Sequence, residues 1–410
     1  MQSAFEGLAR SASERLARSA FEVRLTGVAS SMAMSCDHPD LLPLEEALRR
    51  LWDALPAPSL PELRADRDDP ATDRASMDGV ALRAAEGRSP RQLLGTLYAG
   101  SDPAAFTVLP GTAVRIMTGA ALPAGADAIV PVEQLETAET TVRPTATPEA
   151  GDHVRVRGDQ ARRGDLLLPA GTPLSAARMG LRAQEGAPVP PLTRIRVGIA
   201  STGDELVADP APHQIRDSNG PMLAALAHSL GAEATLRPAL PDDPPALAAA
   251  LQSTQGIRIL LTSGGVSMGD HDHLPAVLRE LGATILFHKI RLKPGKPMLA
   301  ALLGDLLILG LPGNPVSAYV NGLLFLSQAL ARLEGRAAPD PWRRGRLLGP
   351  VKNKGDRPLL HPCRLVEGRL EPLPGKGSAD LVTLGHADAF AWIDQGGLET
   401  GAKTRYLAIL

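Results

Sequence analysis

Four segments of the chain concentrate residues able to do chemistry: Ser201-Thr202-Gly203-Asp204-Glu205, Thr262-Ser263-Gly264-Gly265-Val266-Ser267-Met268-Gly269-Asp270, Lys293-Pro294-Gly295-Lys296-Pro297 and Pro312-Gly313-Asn314-Pro315. Gly264 and Gly265 allow backbone N–H groups to turn inwards and cradle an anion. A helix starting at Pro315 adds partial positive charge at its N-terminus. Lys293 and Lys296, held by prolines, add full charges. Lys289 stands four residues before Lys293, a spacing that places both side chains on one face of an extended strand. The carboxylates Asp204, Glu205, Asp242, Asp243, Asp270 and Asp272 can hold Mg²⁺ against a phosphate. Cations and carboxylates together suit a metal-bridged polyphosphate better than a bare anion. Each segment alone reads as an ordinary turn, and Asp242-Asp243 before a proline reads equally as a helix cap. His271 and His273 around Asp272 lack a third ligand at zinc spacing.

The elements that must position these segments follow from hydrophobic pattern. From 194 to 336 strands alternate with helices: Ile195 to Ala200, a helix capped by Ser218 or Asn219 and ending at Gly231, Ala234 to Arg237, a helix from Asp243-Pro244, Ile257 to Leu261, a helix from His273, Thr284 to Ile290, two strands split by Gly304-Asp305, and a helix from Pro315. This rhythm predicts a three-layer α/β domain with a mostly parallel sheet and helices on both faces. All four segments then fall at strand carboxyl ends, where open α/β sheets bind ligands. Residues 76–153 read as an inserted β-rich domain. Residues 39–75 and 154–193 flank it, and 337–410 read as a small C-terminal β domain. Residues 1–38, rich in Ser, Ala and Arg, read as an extension, or as a start placed upstream of Met32 or Met34.

Composition bounds the partners. The chain has 410 residues, 44% hydrophobic and 21% charged, with a formal net charge of −2 and 3% aromatics. No global field or stacking surface for nucleic acid is expected. No apolar run reaches the ~20 residues of a membrane span. The cysteines, Cys36 and Cys363, form no Cys-x-x-Cys pair, so a reducing cytoplasm is expected.

Taken in order, Ser76-Met77-Asp78-Gly79, Arg115-Ile116-Met117-Thr118-Gly119-Ala120, Pro169-Ala170-Gly171-Thr172, the four segments above and Gly377-Ser378-Ala379-Asp380-Leu381 resemble the molybdopterin molybdenumtransferases, relatives of the gephyrin E domain. The resemblance spans about residues 41–395. It implies an elongated four-part subunit with a C-terminal β-barrel, acting as a homodimer. It also implies a molybdopterin adenylyltransferase that supplies the adenylylated pterin, insertion of molybdate with Mg²⁺-dependent release of AMP, and molybdoenzymes or their chaperones as recipients. Asp78, Thr118, Glu205, Asp242, Asp272, Lys289 and Lys293 fall on family positions needed for activity, with Glu205 and Asp242 as the metal pair. Ser263, Gly264, Gly265, Ser267, Lys296, Pro312, Gly313, Asn314, Pro315 and Ser378 fall on substrate-binding positions. In the family, the Asp78 and Thr118 loops come from the partner subunit.

Three departures stand out. Val80 replaces the usual aromatic after Asp-Gly. Gln160 replaces an acid. A family segment between Leu55 and Asp73 has no counterpart. These favour a second reading, a non-catalytic molybdopterin carrier or scaffold. A third, a nucleotide pyrophosphatase sharing only the α/β domain, leaves the motifs around Asp78, Thr118 and Ser378 unexplained.

Overall fold

The computed structural model describes residues 41–191, 193–203, 205–241, 243–266 and 273–410. Its centre is a six-stranded mixed sheet. In chain order the elements are β1 (Arg196–Ser201), α1 (Asn219–Ser229), β2 (Glu233–Leu236), α2 (Pro244–Gln252), β3 (Ile259–Ser263), α3 (Leu274–Glu280), β4 (Thr284–His288), β5 (Leu299–Leu303), β6 (Leu306–Leu311) and α4 (Pro315–Asn321). Spatially the strands run β2-β1-β3-β6-β5-β4. The first four are parallel, whereas β5 is antiparallel to both β6 and β4. Two reversals restore direction, so β4 points the same way as β6. Its carboxyl end therefore joins those of β1, β3 and β6 on one rim.

Strand alternation divides the core. Ile259 and Leu261 face one side with Leu307 and Leu309, where α1 and α4 pack. Leu260 and Ile308 face the other, against α2 and α3. This is the period of two expected when both faces are covered by helices. Gly322, just after α4, lets α1 come close: an added Cβ would meet Leu223 Cδ2 at 3.0 Å.

The helix Leu44–Ala54 departs from the expected grouping with the segments flanking the inserted domain. Its stripe of Leu44, Ala47, Leu51 and Leu55 lies in the α/β core. Leu42 pairs with Ile290 just beyond β4. Arg332 donates through Nε to Leu55 O at 3.0 Å and lies 5.2 Å over the Trp52 ring. The flanking segments themselves make short two-stranded ladders, Leu63–Arg64 with Leu166–Leu168 and Arg74–Ala75 with Val154–Arg155.

Within those ladders stands a second six-stranded sheet, in which Gly79–Leu82 lies between Thr112–Ile116 and the edge strand Ala128–Pro131. Both its faces carry apolar clusters. Val80, the aromatic's replacement, is fully packed in one of them. The C-terminal strands form a five-stranded antiparallel sheet that curls until Leu347 bridges Leu370. Arg405 locks this sheet to the first helix. Its guanidinium sits 4.5 Å from the Trp342 ring centre and 3.8 Å from that of Trp392, and bonds Glu45 at 2.9 Å.

Leu51 is wholly buried in a core shared by the first helix and the sheet. Leu51→Ala is expected to cost about 2–5 kcal/mol, read as a lower denaturant midpoint. A midpoint unchanged from the parent would show that the helix does not belong to the cooperative core.

Candidate active site

Loops after β1, β3 and β6 enclose a cleft of about 440 Å³. Its walls are Thr202, Gly203, Glu205 and Leu206 after β1, Ser263, Gly264 and Gly265 at β3, and Gly313 and Pro315 after β6, completed by Ile215 to Asn219. The loops are tied to one another. Thr202 donates through N and Oγ1 to Ser263 O, at 2.9 and 3.1 Å. Gly264 N donates to Leu311 O at 3.0 Å. Gly264 and Gly265 have φ of 98° and 68°. A Cβ on Gly264 would strike Thr202 Oγ1, so both conformation and space require glycine there.

The anion cradle is narrower than the sequence predicts. The Gly264 N–H is spent on Leu311, and among the described residues Gly265 N–H has no backbone acceptor. At α4, Pro315 has no N–H, and Val316 N donates to Ser378 O at 3.0 Å. Asn314 Nδ2 donates to Ser378 Oγ, also at 3.0 Å. Ser378 thereby comes from the C-terminal sheet to the rim of the α/β domain, beside Asn314.

Residues 215–219 were not expected to line the site. Asp217, rather than Ser218 or Asn219, caps α1: Gly220 N donates to Asp217 Oδ1 at 2.9 Å, and Ser218 makes no side-chain cap. Asp217 Oδ2 accepts from Ser201 Oγ at 2.8 Å. Asn219 is thereby freed for another task. Its Nδ2 donates to Ser263 Oγ and to Gly313 O, each at 2.7 Å, joining the β3 and β6 loops. The legible signal was the Asp217-Ser218-Asn219-Gly220 string, which offers a carboxylate three residues before a backbone donor.

The lysine segment occupies the same rim but not the cleft. Lys289, Lys293 and Lys296 are absent from the cleft wall. β5 lies between β4 and β6, a separation of two strand spacings, roughly 10 Å. Nor do Lys289 and Lys293 share a strand: β4 ends at His288, and Lys289 has φ of 73°. The segment is well anchored. Lys293 N donates to Pro358 O at 2.9 Å, Leu360 N donates to Lys293 O at 2.7 Å, and Asn321 Nδ2 donates to Gly295 O at 3.0 Å.

Asp78 and Thr118 meet on the inserted sheet because Gly79 pairs with Ile116. Thr118 donates to Asp78 Oδ1 through both N and Oγ1, each at 2.7 Å. The Thr118 hydroxyl first, then its amide, hold the Asp78 carboxyl below the usual carboxylate range, with Arg115 adding to the effect. Neither residue lines the α/β cleft of its own chain.

Of the carboxylates, Glu205 lines the cleft and is exposed. Both Asp217 oxygens are engaged, and Asp243 caps α2 by accepting from Ala246 N at 3.0 Å. Asp204, Asp242, Ser267, Asp270, His271 and Asp272 lie outside the described residues. Among the described residues no cluster of three His, Cys, Asp or Glu exists. Among the described residues Glu205 is the carboxylate at this cleft with no side-chain hydrogen bond or ion pair, and it suits Mg²⁺, which commonly takes one or two carboxylates plus substrate oxygens. Gln160 has a local role: with its amide turned so that both ends find a complementary partner, the nitrogen donates to Asp69 Oδ2 at 2.8 Å and the oxygen accepts from Arg155. Gln184 Nε2 donates to the same Asp69 oxygen at 2.8 Å.

Comparison with known proteins places these features in a lineage. The family models described as MoeA N-terminal region (domain I and II) and probable molybdopterin binding domain match residues 33–186 and 198–332. The molybdopterin molybdenumtransferase of Synechococcus elongatus is 37% identical over 82% of this chain and 87% of its own. That of Bacillus subtilis is 32% identical over 90% and 94%. The crystal structure of the molybdopterin biosynthesis MoeA protein from Pyrococcus horikoshii superposes with a TM-score of 0.68 at 27% identity, covering 90% of this chain and 99% of that one. With its α/β cleft, its Asp78–Thr118 pair and relatives matched over most of their length, the chain belongs to the molybdopterin molybdenumtransferase (MoeA) family.

Proposed function

We propose that this transferase of molybdenum cofactor biosynthesis inserts molybdate into adenylylated molybdopterin and releases AMP. The observation that carries the reading is the glycine-walled cleft formed where the β1, β3 and β6 loops meet, inside the part of the chain that matches the molybdopterin-binding family model. Gly264, Gly265 and Gly313 present backbone rather than side chains, so a phosphate or a flat heterocycle can approach closely. Pro312, Asn314 and Pro315 set the turn beside them. Molybdate is a dianion, and Lys289, Lys293, Lys296 and Ser378 provide charge and a hydroxyl on the neighbouring stretch of rim. Glu205, with Asp242, would hold Mg²⁺; the ion supplies charge neutralisation at the phosphoanhydride. Asp272 and Ser267 complete the family set.

The Asp78–Thr118 pair belongs to this reading through a second copy of the chain, which would carry its inserted sheet over the cleft. An ionised carboxylate, fixed by two bonds from one threonine, can orient water or a protonated group without wandering. The adenylate would come from a molybdopterin adenylyltransferase, and the product would pass to molybdoenzymes or their chaperones. Among the described residues no helix is long and apolar enough to cross a membrane. The carrier reading is disfavoured by relatives at 37% and 32% identity that are themselves molybdopterin molybdenumtransferases.

The direct test mixes protein, adenylylated molybdopterin, molybdate and Mg²⁺ in a single turnover. Molybdate-dependent AMP release with pterin-bound molybdenum is expected. Tight adenylate binding without AMP would establish the carrier instead. Asp78→Ala is expected to keep the parent's circular dichroism and melting temperature but lose transfer; wild-type turnover would remove Asp78 from the mechanism. Thr118→Val deletes the largest contribution to the depressed Asp78 pKa. The Asp78 carboxyl should then titrate at higher pH, and the acid limb of the pH–rate profile should move up with it. A ¹³C carboxyl titration that does not move would show that the hydroxyl leaves Asp78 unaffected.

A further inference from the structure

The cleft wall contains one cation among its described residues, Arg216, and no motif pointed to it. It stands on the 205–218 segment, folded back on itself by Ile215 N donating to Glu205 O at 2.9 Å and Val207 N donating to Ile215 O at 3.0 Å. Arg216 Nε donates to Ala208 O at 3.1 Å, which fixes the stem of the side chain. No described residue takes a hydrogen bond from Nη1 or Nη2, and no described carboxylate forms an ion pair with the guanidinium. Two donors in a fixed fork are thus left on an exposed side chain at the cleft. That geometry matches two oxygens of a phosphate.

The surroundings sharpen the need for it. Glu205 and Asp217 also line the cleft and would repel an anionic ligand. The three lysines of the rim lie on the far side of β5 and do not line this space. Ile215, 56% exposed, and Leu206 give the same wall an apolar surface. A ligand combining a flat ring with a polyphosphate fits such a wall better than a bare oxyanion does.

Resting on the transferase reading above, we propose that Arg216 is a substrate-binding residue that pairs with the phosphoanhydride of the adenylylated pterin. It thereby makes the cleft selective for the nucleotide-bearing substrate, while the lysine rim is left to the oxyanion.

The experiment compares ADP, which carries a phosphoanhydride, with adenosine, which has none, by calorimetry on the full chain. Arg216→Ala should weaken ADP binding by about tenfold or more and leave adenosine unchanged. Arg216→Lys, which keeps the charge but loses the fork, should fall between. Equal ADP affinity in the parent and Arg216→Ala would overturn the assignment. So would a parallel loss for ADP and adenosine, since that marks a structural role. A parent chain that binds neither ligand would overturn the transferase reading of the cleft, and this inference with it.

Discussion

The site depends most on the Asn219 carboxamide. Its nitrogen holds Ser263 Oγ and Gly313 O at 2.7 Å each, so one side chain sets the spacing of two loops. Other contacts add to this frame. Gly264 donates across to Leu311, and Ser263 O accepts twice from Thr202. Together they fix the β1, β3 and β6 loops as one unit, and the cleft is the space that unit encloses. Asn219 can serve because Asp217 has already taken the helix cap. A buried side chain with both donors spent is costly to disturb, since a carbonyl stripped of its partner loses about 1–3 kcal/mol. The glycines at 264 and 265 provide close approach, but the carboxamide keeps that approach in register.

The C-terminal sheet contributes to the same rim without being part of the α/β domain. Ser378 meets Asn314 and Val316 at the start of α4. Lys293 shares backbone bonds with Pro358 and Leu360. The Arg405 clamp between two tryptophans, with Glu45 beside it, holds this sheet against the first helix. Rim chemistry therefore draws on three separate stretches of chain. Precision at the lysines comes from their backbone anchors, as Asn321 holding Gly295 illustrates.

Much of this was legible in the sequence where local physics decides. Alternating strands and helices gave the α/β core, Gly304-Asp305 marked the β5–β6 turn, and Asp243 caps its helix as its type suggests. Long-range placement was not legible. Nothing local says that β5 reverses and sets the lysine segment two strands away from β6. The helix Leu44–Ala54 shows a clear amphipathic stripe, yet the stripe does not reveal which surface will cover it. Hydrogen-bond competition was hidden as well. Gly264 looks like an anion donor until Leu311 is seen to take its N–H, and Arg216 carries no motif at all. Val80 and Gln160 read as losses in sequence, but each is accommodated locally, one in a sheet core and one against Asp69.

The place of that first helix has a consequence for how the protein is made. Its Leu55 carbonyl waits for Arg332, a residue 277 positions later. At the usual pace of a ribosome, that interval is on the order of tens of seconds. Over most of it, Leu44, Ala47 and Leu51 lack part of their partner surface: β4 and Ile290 are made only after about 240 further residues, and the helix Ser327–Leu333 later still. The N-terminal region therefore leaves the exit tunnel with an unsatisfied apolar stripe, while the inserted sheet, complete by residue 144, can already fold. Truncation before Ser327 would remove the last part of that covering surface, together with the Arg332 bond to Leu55.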